Sequence, residues 1–74
     1  MYKAKNGLII KDEMTPDGWK IRDGNDILTA LLSFPYFQTV ATGFILEALQ
    51  QAADSRKEYA DIKELAAYIA ENYI

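Results

Sequence analysis

The stretch TPDG at residues 15–18 is the clearest local structural signal in this sequence. Proline presets φ for the second position of a turn, aspartate suits the third position, and glycine takes the positive φ that leads into a following strand. Apolar, β-prone runs flank this turn, with LIIK at 8–11 and WKIR at 19–22. The pattern therefore predicts a β-hairpin with a loop of about four residues.

A second turn signal, Asn6-Gly7, lies just upstream. Asn-Gly is the preferred pair for the two central residues of a type I′ hairpin turn. If it acts in that way, residues 2–5 form a short first strand and the sheet becomes a three-stranded meander. A lone hairpin is marginally stable in water, so we expect this sheet to pack on the rest of the chain.

The remaining sequence predicts three helices. Asp23 or Asn25 can cap the first helix, and the Ser33-Phe34-Pro35 segment interrupts it. Ser33 is then the natural N-cap of the second helix. Asp54-Ser55 has the composition of a cap for a third helix, from about 56 to 73.

The second predicted helix has the most regular apolar spacing, from residue 37 to residue 52. Gly43 lies inside this pattern, where a glycine costs about 1 kcal/mol relative to alanine. We expect Gly43 to be explained by the close approach of another backbone.

Together these signals predict one α+β domain over 1–74, with an antiparallel β-hairpin or three-stranded meander at 1–23 packed on a three-helix unit at 25–74. The predicted core consists of the following apolar residues: Ile10, Trp19, Ile21, Leu28, Leu31, Phe37, Val40, Phe44, Ile45, Leu49, Ile62, Leu65 and Ile69.

The composition offers little for catalysis, because the chain has neither cysteine nor histidine. A serine nucleophile needs a base, and Ser33 and Ser55 are better explained as helix caps. Thiol or imidazole ligands for zinc or haem are missing, and the acidic residues near the hairpin loop do not follow the spacing of a calcium loop. We therefore expect no catalytic residue, no metal site and no cofactor.

Charge is divided unevenly along the chain, whose net charge is −3. Residues 1–23 hold five basic residues against four acidic ones, whereas residues 24–74 hold three against seven. Alternation along strands would place cations on the outer face of the sheet, opposite the core. These candidate nucleic-acid-binding residues are Lys3, Lys5, Lys11, Lys20 and Arg22.

Surplus aromatic and apolar residues mark the last predicted helix. Tyrosine is a favoured interface anchor, because it buries a large area at a low entropic cost. The candidate partner-binding residues are Tyr59, Tyr68, Tyr73 and Ile74. The leading functional expectation is therefore a non-enzymatic protein–protein interaction module, a small regulator or inhibitor that acts by binding.

Two alternatives remain open at this stage. The chain could bind nucleic acid through the basic face of the sheet, or it could be a structural subunit that self-assembles. Small domains without disulfides often gain core by association, so a homo-oligomer is expected under either protein-binding interpretation. The sequence has no apolar run long enough for a signal peptide or a membrane span, which favours a cytoplasmic location without a membrane partner.

Overall fold

A tight turn at Asn6 and Gly7 joins the first two strands in a computed structural model that describes residues 1–72. Strand β1 (Tyr2–Lys3) pairs antiparallel with β2 (Ile9–Ile10). Gly7 has φ of 100°, which an L side chain rarely adopts. The Asn6 carboxamide oxygen accepts the Leu8 N–H at 3.2 Å. The predicted first strand is present over Tyr2–Lys3, and Asn6-Gly7 lies in a turn, but this turn is not type I′ because only Gly7 of the pair has a positive φ.

The TPDG turn also forms, but its flanking strands do not. The Gly18 N–H donates to the Thr15 carbonyl at 2.9 Å, and Gly18 has φ of 94°. Only an isolated antiparallel bridge between Met14 and Lys20 follows. Because a short loop pairs the residues next to it, segment 13–15 lies opposite 19–21. The predicted pairing of 8–11 with 19–22 is therefore wrong.

The free edge of β2 pairs with a strand from the C-terminal half. Strand β3 (Glu58–Tyr59) runs parallel to β2, so the sheet order is β1-β2-β3. The ladder continues beyond β2, because the Lys11 N–H donates to the Tyr59 carbonyl and the Asp12 N–H to the Ala60 carbonyl, both at 2.8 Å. The α+β class and a three-stranded sheet are confirmed, but the antiparallel hairpin is β1-β2 rather than 8–11 with 19–22, and because β3 is parallel the sheet is not a meander.

Three α-helices complete the fold: α1 (Gly24–Leu32), α2 (Thr42–Asp54) and α3 (Ile62–Asn72). Asp23 caps α1, because its carboxylate accepts the Asp26 N–H at 3.0 Å. Within the described part of the chain, no helix has the length and apolar character that crossing a membrane would require.

The predicted second helix is divided in two. A 3-10 helix (Pro35–Thr39) comes first, and Val40 is extended before α2 begins. Ser33 does not cap α2 but ends α1, where its hydroxyl donates to the Ala30 carbonyl at 2.6 Å. The predicted cap is wrong because a serine hydroxyl can satisfy carbonyls at a helix end as well as amides at a helix start.

The predicted third helix begins too early for the same reason. The Ser55 hydroxyl donates to the Ala52 carbonyl at 2.7 Å and ends α2. Residues 58 and 59 are extended, and Asp61 caps α3 by accepting the Glu64 N–H at 2.9 Å.

One core joins the sheet to the helices. Most predicted core residues are buried: Ile10, Ile21, Leu31, Phe37, Ile45, Leu49, Ile62, Leu65 and Ile69. Trp19, Leu28 and Val40 are half-buried and pack against this core. The prediction that Phe44 belongs to the core is wrong, since 61% of its surface is exposed. Buried residues outside the predicted core list include Leu8, Ile27, Tyr59, Ala48 and Ala52.

Candidate binding surfaces

Two of the three tyrosines expected to face a partner, Tyr59 and Tyr68, lie against each other. Tyr59 lies in β3, not on the last helix, and its side chain is fully buried. Its ring centroid is 5.4 Å from that of the half-buried Tyr68 on α3. The Lys57 ammonium lies 5.5 Å from the first ring and 5.1 Å from the second. Tyr73 and Ile74 lie outside the described residues.

The Tyr59 hydroxyl shows how enclosed this cluster is. Burial raises the pKa of this phenol, because the phenolate would lose its hydration. Ser55 and Tyr68 lie near enough to influence the same pKa, yet no described residue is placed to complete a hydrogen bond to the Tyr59 oxygen. In this cluster Tyr59 is core rather than a surface anchor.

The five basic residues of the expected nucleic-acid surface do not act as one set. Lys20 lies 3.2 Å from the Glu13 carboxylate, and Lys11 lies 3.9 Å from Glu58. The other three, namely Lys3, Lys5 and Arg22, line one groove of about 460 Å³ between β1 and the start of α1.

Glu13 is held by two cations. Its carboxylate accepts a hydrogen bond from the N-terminal ammonium of Met1 at 2.9 Å and also contacts Lys20. Both contacts lower the pKa of Glu13, and the hydrogen bond from the N-terminal ammonium has the larger effect. The carboxylate therefore holds the N-terminal ammonium and the Lys20 ammonium close together.

Among the three α-helices, the large apolar side chains that are exposed to solvent lie on α2, while Tyr36 on the 3-10 helix is 52% exposed. Phe44 is 61% exposed and Leu46 is 51% exposed. Successive residues of a helix are rotated by about 100°, so Phe44 lies about 100° to one side of Gly43 and Leu46 about 60° to the other. We call this surface, made of Gly43, Phe44, Leu46, Glu47 and Gln50, the outer face of α2.

Gly43 lies between Phe44 and Leu46 around the helix, and along the helix it lies in the first turn of α2. A Cβ at this position would have no described atom within 4 Å. The close backbone approach expected from the sequence is therefore not made inside the described molecule. The glycine leaves a shallow floor between two apolar side chains.

The hydroxyls of Ser33 and Ser55 donate to backbone carbonyls. Residues 1–72 contain no group of three acidic side chains close enough to hold a metal ion. The surface grooves combine lysine and arginine with apolar side chains, an arrangement that suits binding of a charged ligand.

Comparison with known proteins gives no relative: no family model matches the chain, and neither a curated protein nor a solved structure is significantly similar to it.

Proposed function

We propose that the chain is a small regulator or inhibitor that acts by binding another protein on the outer face of α2, without catalysing a reaction. The exposure of Phe44 carries this proposal. Its spacing suits a core residue, yet the side chain lies in solvent beside a glycine with open space around it. A cytoplasmic location is part of the same proposal.

The energetics favour such a contact. Burying an exposed phenylalanine or leucine side chain contributes about 1.5–3 kcal/mol. Phe44 and Leu46 lie about 160° apart around α2, at the two edges of its exposed side, so a partner must reach both edges of the helix to bury both side chains. Gly43 between them permits a partner backbone to approach α2 closely. Small central residues with larger apolar neighbours are the arrangement that lets two helices pack at short distance.

Charge indicates the chemistry of the partner. Glu47 and Asp54 are acidic, and α2 contains no lysine or arginine. A second copy of this chain docked on the same face would bring like charges together, which is unfavourable. The surface therefore fits a partner segment that presents apolar side chains flanked by lysine or arginine.

Selection from a phage library of helix-forming peptides tests this proposal. We expect the selected sequences to combine apolar residues at helical spacing with lysine or arginine. Their binding should be lost in Gly43→Gln, whose side chain would fill the floor of the face. Gly24→Gln is the matched control, because Gly24 also lies in a first helical turn with open space around it.

Two results would overturn the proposal. One is selection of peptides without basic residues that bind wild type and Gly43→Gln equally. The other is a dimer in light scattering that Gly43→Gln converts to a monomer, since the occupant would then be a second copy. Circular dichroism of both variants verifies that the helices remain folded.

A further inference from the structure

A second surface, separate from α2's outer face, gathers cations from distant parts of the chain. The groove between β1 and α1 is lined by Lys3, Lys5 and Arg22. A neighbouring groove of about 590 Å³ lies between the β1-β2 hairpin and the end of α2, and it adds Arg56. Lys3 and Asn6 line both grooves, so the two lie side by side. We call the four basic residues the cation track.

The members of the cation track are available for a ligand. Within residues 1–72, none of the four side chains takes part in an ion pair, in contrast to Lys11 and Lys20. Two carboxylates also line the grooves, and both keep their charge: Asp23 accepts the Asp26 N–H, and Asp54 accepts the Gln50 side-chain amide at 3.0 Å. The four cations outnumber these two carboxylates.

Arg56 adds a separate observation. It is the one described non-glycine residue with positive φ, at 58°. This position follows the end of α2, where glycine is strongly preferred because a side chain in the left-handed region is strained. An arginine at a position that favours glycine indicates that its guanidinium, which lines the track, has a role.

We infer that the cation track binds a single strand of nucleic acid. Its four cations come from two adjoining grooves, and separated cations match a ligand whose negative charges repeat along a chain. Tyr2 is partly buried against the core and lines the same track, where its ring can stack on a base. The unpaired bases of a single strand are free to make such a stacking contact.

Fluorescence anisotropy with a labelled oligothymidylate of about fifteen nucleotides tests this inference. Four phosphate contacts at about 0.7 per contact predict that affinity falls about fifty-fold between about 50 and about 200 mM NaCl. Lys3→Gln with Lys5→Gln should weaken binding at the lower salt by at least about tenfold. Lys11→Gln with Lys20→Gln is the matched control, because it removes equal charge from ion-paired lysines and should leave binding nearly unchanged.

Arg56→Gly separates a binding role from a structural one. It relieves the strained backbone, so it should raise the urea midpoint while weakening oligothymidylate binding. A raised urea midpoint with unchanged oligothymidylate binding would show that Arg56 and the second groove do not contact the nucleic acid. No binding at the lower salt, equal loss in the two double-lysine variants, or equal affinity for inorganic polyphosphate would overturn the inference as a whole.

Discussion

The hydroxyl of Tyr59 is buried, and no described group completes a hydrogen bond to it. A buried polar atom without a partner costs about 1–3 kcal/mol. We therefore expect Tyr59→Phe to raise the free energy of unfolding by about 1 kcal/mol, since the ring keeps its contact with Tyr68. Urea denaturation followed by circular dichroism measures this change. A loss of stability would show that the hydroxyl is hydrogen-bonded in solution, with Ser55 the nearest candidate.

Glu13 makes stability depend on acid pH. Its pKa is lowered from the ordinary value of 4.5, so the folded state favours the carboxylate. The corresponding stabilisation is present above the unfolded pKa and is lost as pH falls through the lower, folded pKa. We expect Glu13→Gln to have a lower urea midpoint than wild type at about pH 7, and the gap to be narrower at about pH 3. A gap that is the same at both values would contradict this account.

We expect Gly43 to lower the stability of α2, since no close contact with another described segment requires a glycine at this position. Alanine at this position meets no described atom within 4 Å, and Gly43 is helical. Gly43→Ala should therefore raise the free energy of unfolding by about 0.4–1 kcal/mol. Gly18→Ala is the control, because its φ of 94° should make the same substitution destabilising. Thermal melts compare the two, and a destabilised Gly43→Ala would show that the glycine is needed within the fold.

At the scale of elements, the start of α3 distinguishes the structure from the sequence pattern. Asp61→Ala should lower the free energy of unfolding by about 1 kcal/mol, because its carboxylate caps α3. Asp54→Ala should have little effect, since Asp54 is the last residue of α2 and its carboxylate accepts only an exposed amide. Urea midpoints of the two variants provide the comparison. The reverse order would support one helix starting near residue 56.

Local signals determine the elements whose stabilising contacts are local. The Asn6-Gly7 turn and the Asp23 cap each depend on residues a few positions apart, and both were predictable. Strand β3 was not, because residues 58 and 59 are extended through pairing with β2, nearly fifty residues away. Nothing in the local pattern distinguishes Glu58-Tyr59 from a first helical turn.

At the scale of the whole molecule, the parallel pair β2-β3 joins the two ends of the chain into one core. It also determines the surfaces. Tyr59 lies in β3 with its side chain in the core, so it is not exposed for contact with a partner. Helix α2 begins at Thr42, and Phe44 lies on the solvent-exposed side of this helix. Basic residues could be identified from the sequence, but their separation into ion-paired lysines and a cation track depends on long-range packing. Arg56 in particular joins the track from outside the predicted sheet.

The central claim is that the outer face of α2 is where this protein binds its partner. Titration of the isotope-labelled chain with a basic peptide selected as above, followed through amide chemical shifts, tests it most directly. We predict that the largest changes occur at Gly43, Phe44, Leu46 and Glu47. Changes concentrated on α3 or along the cation track, with α2 unaffected, would contradict the account.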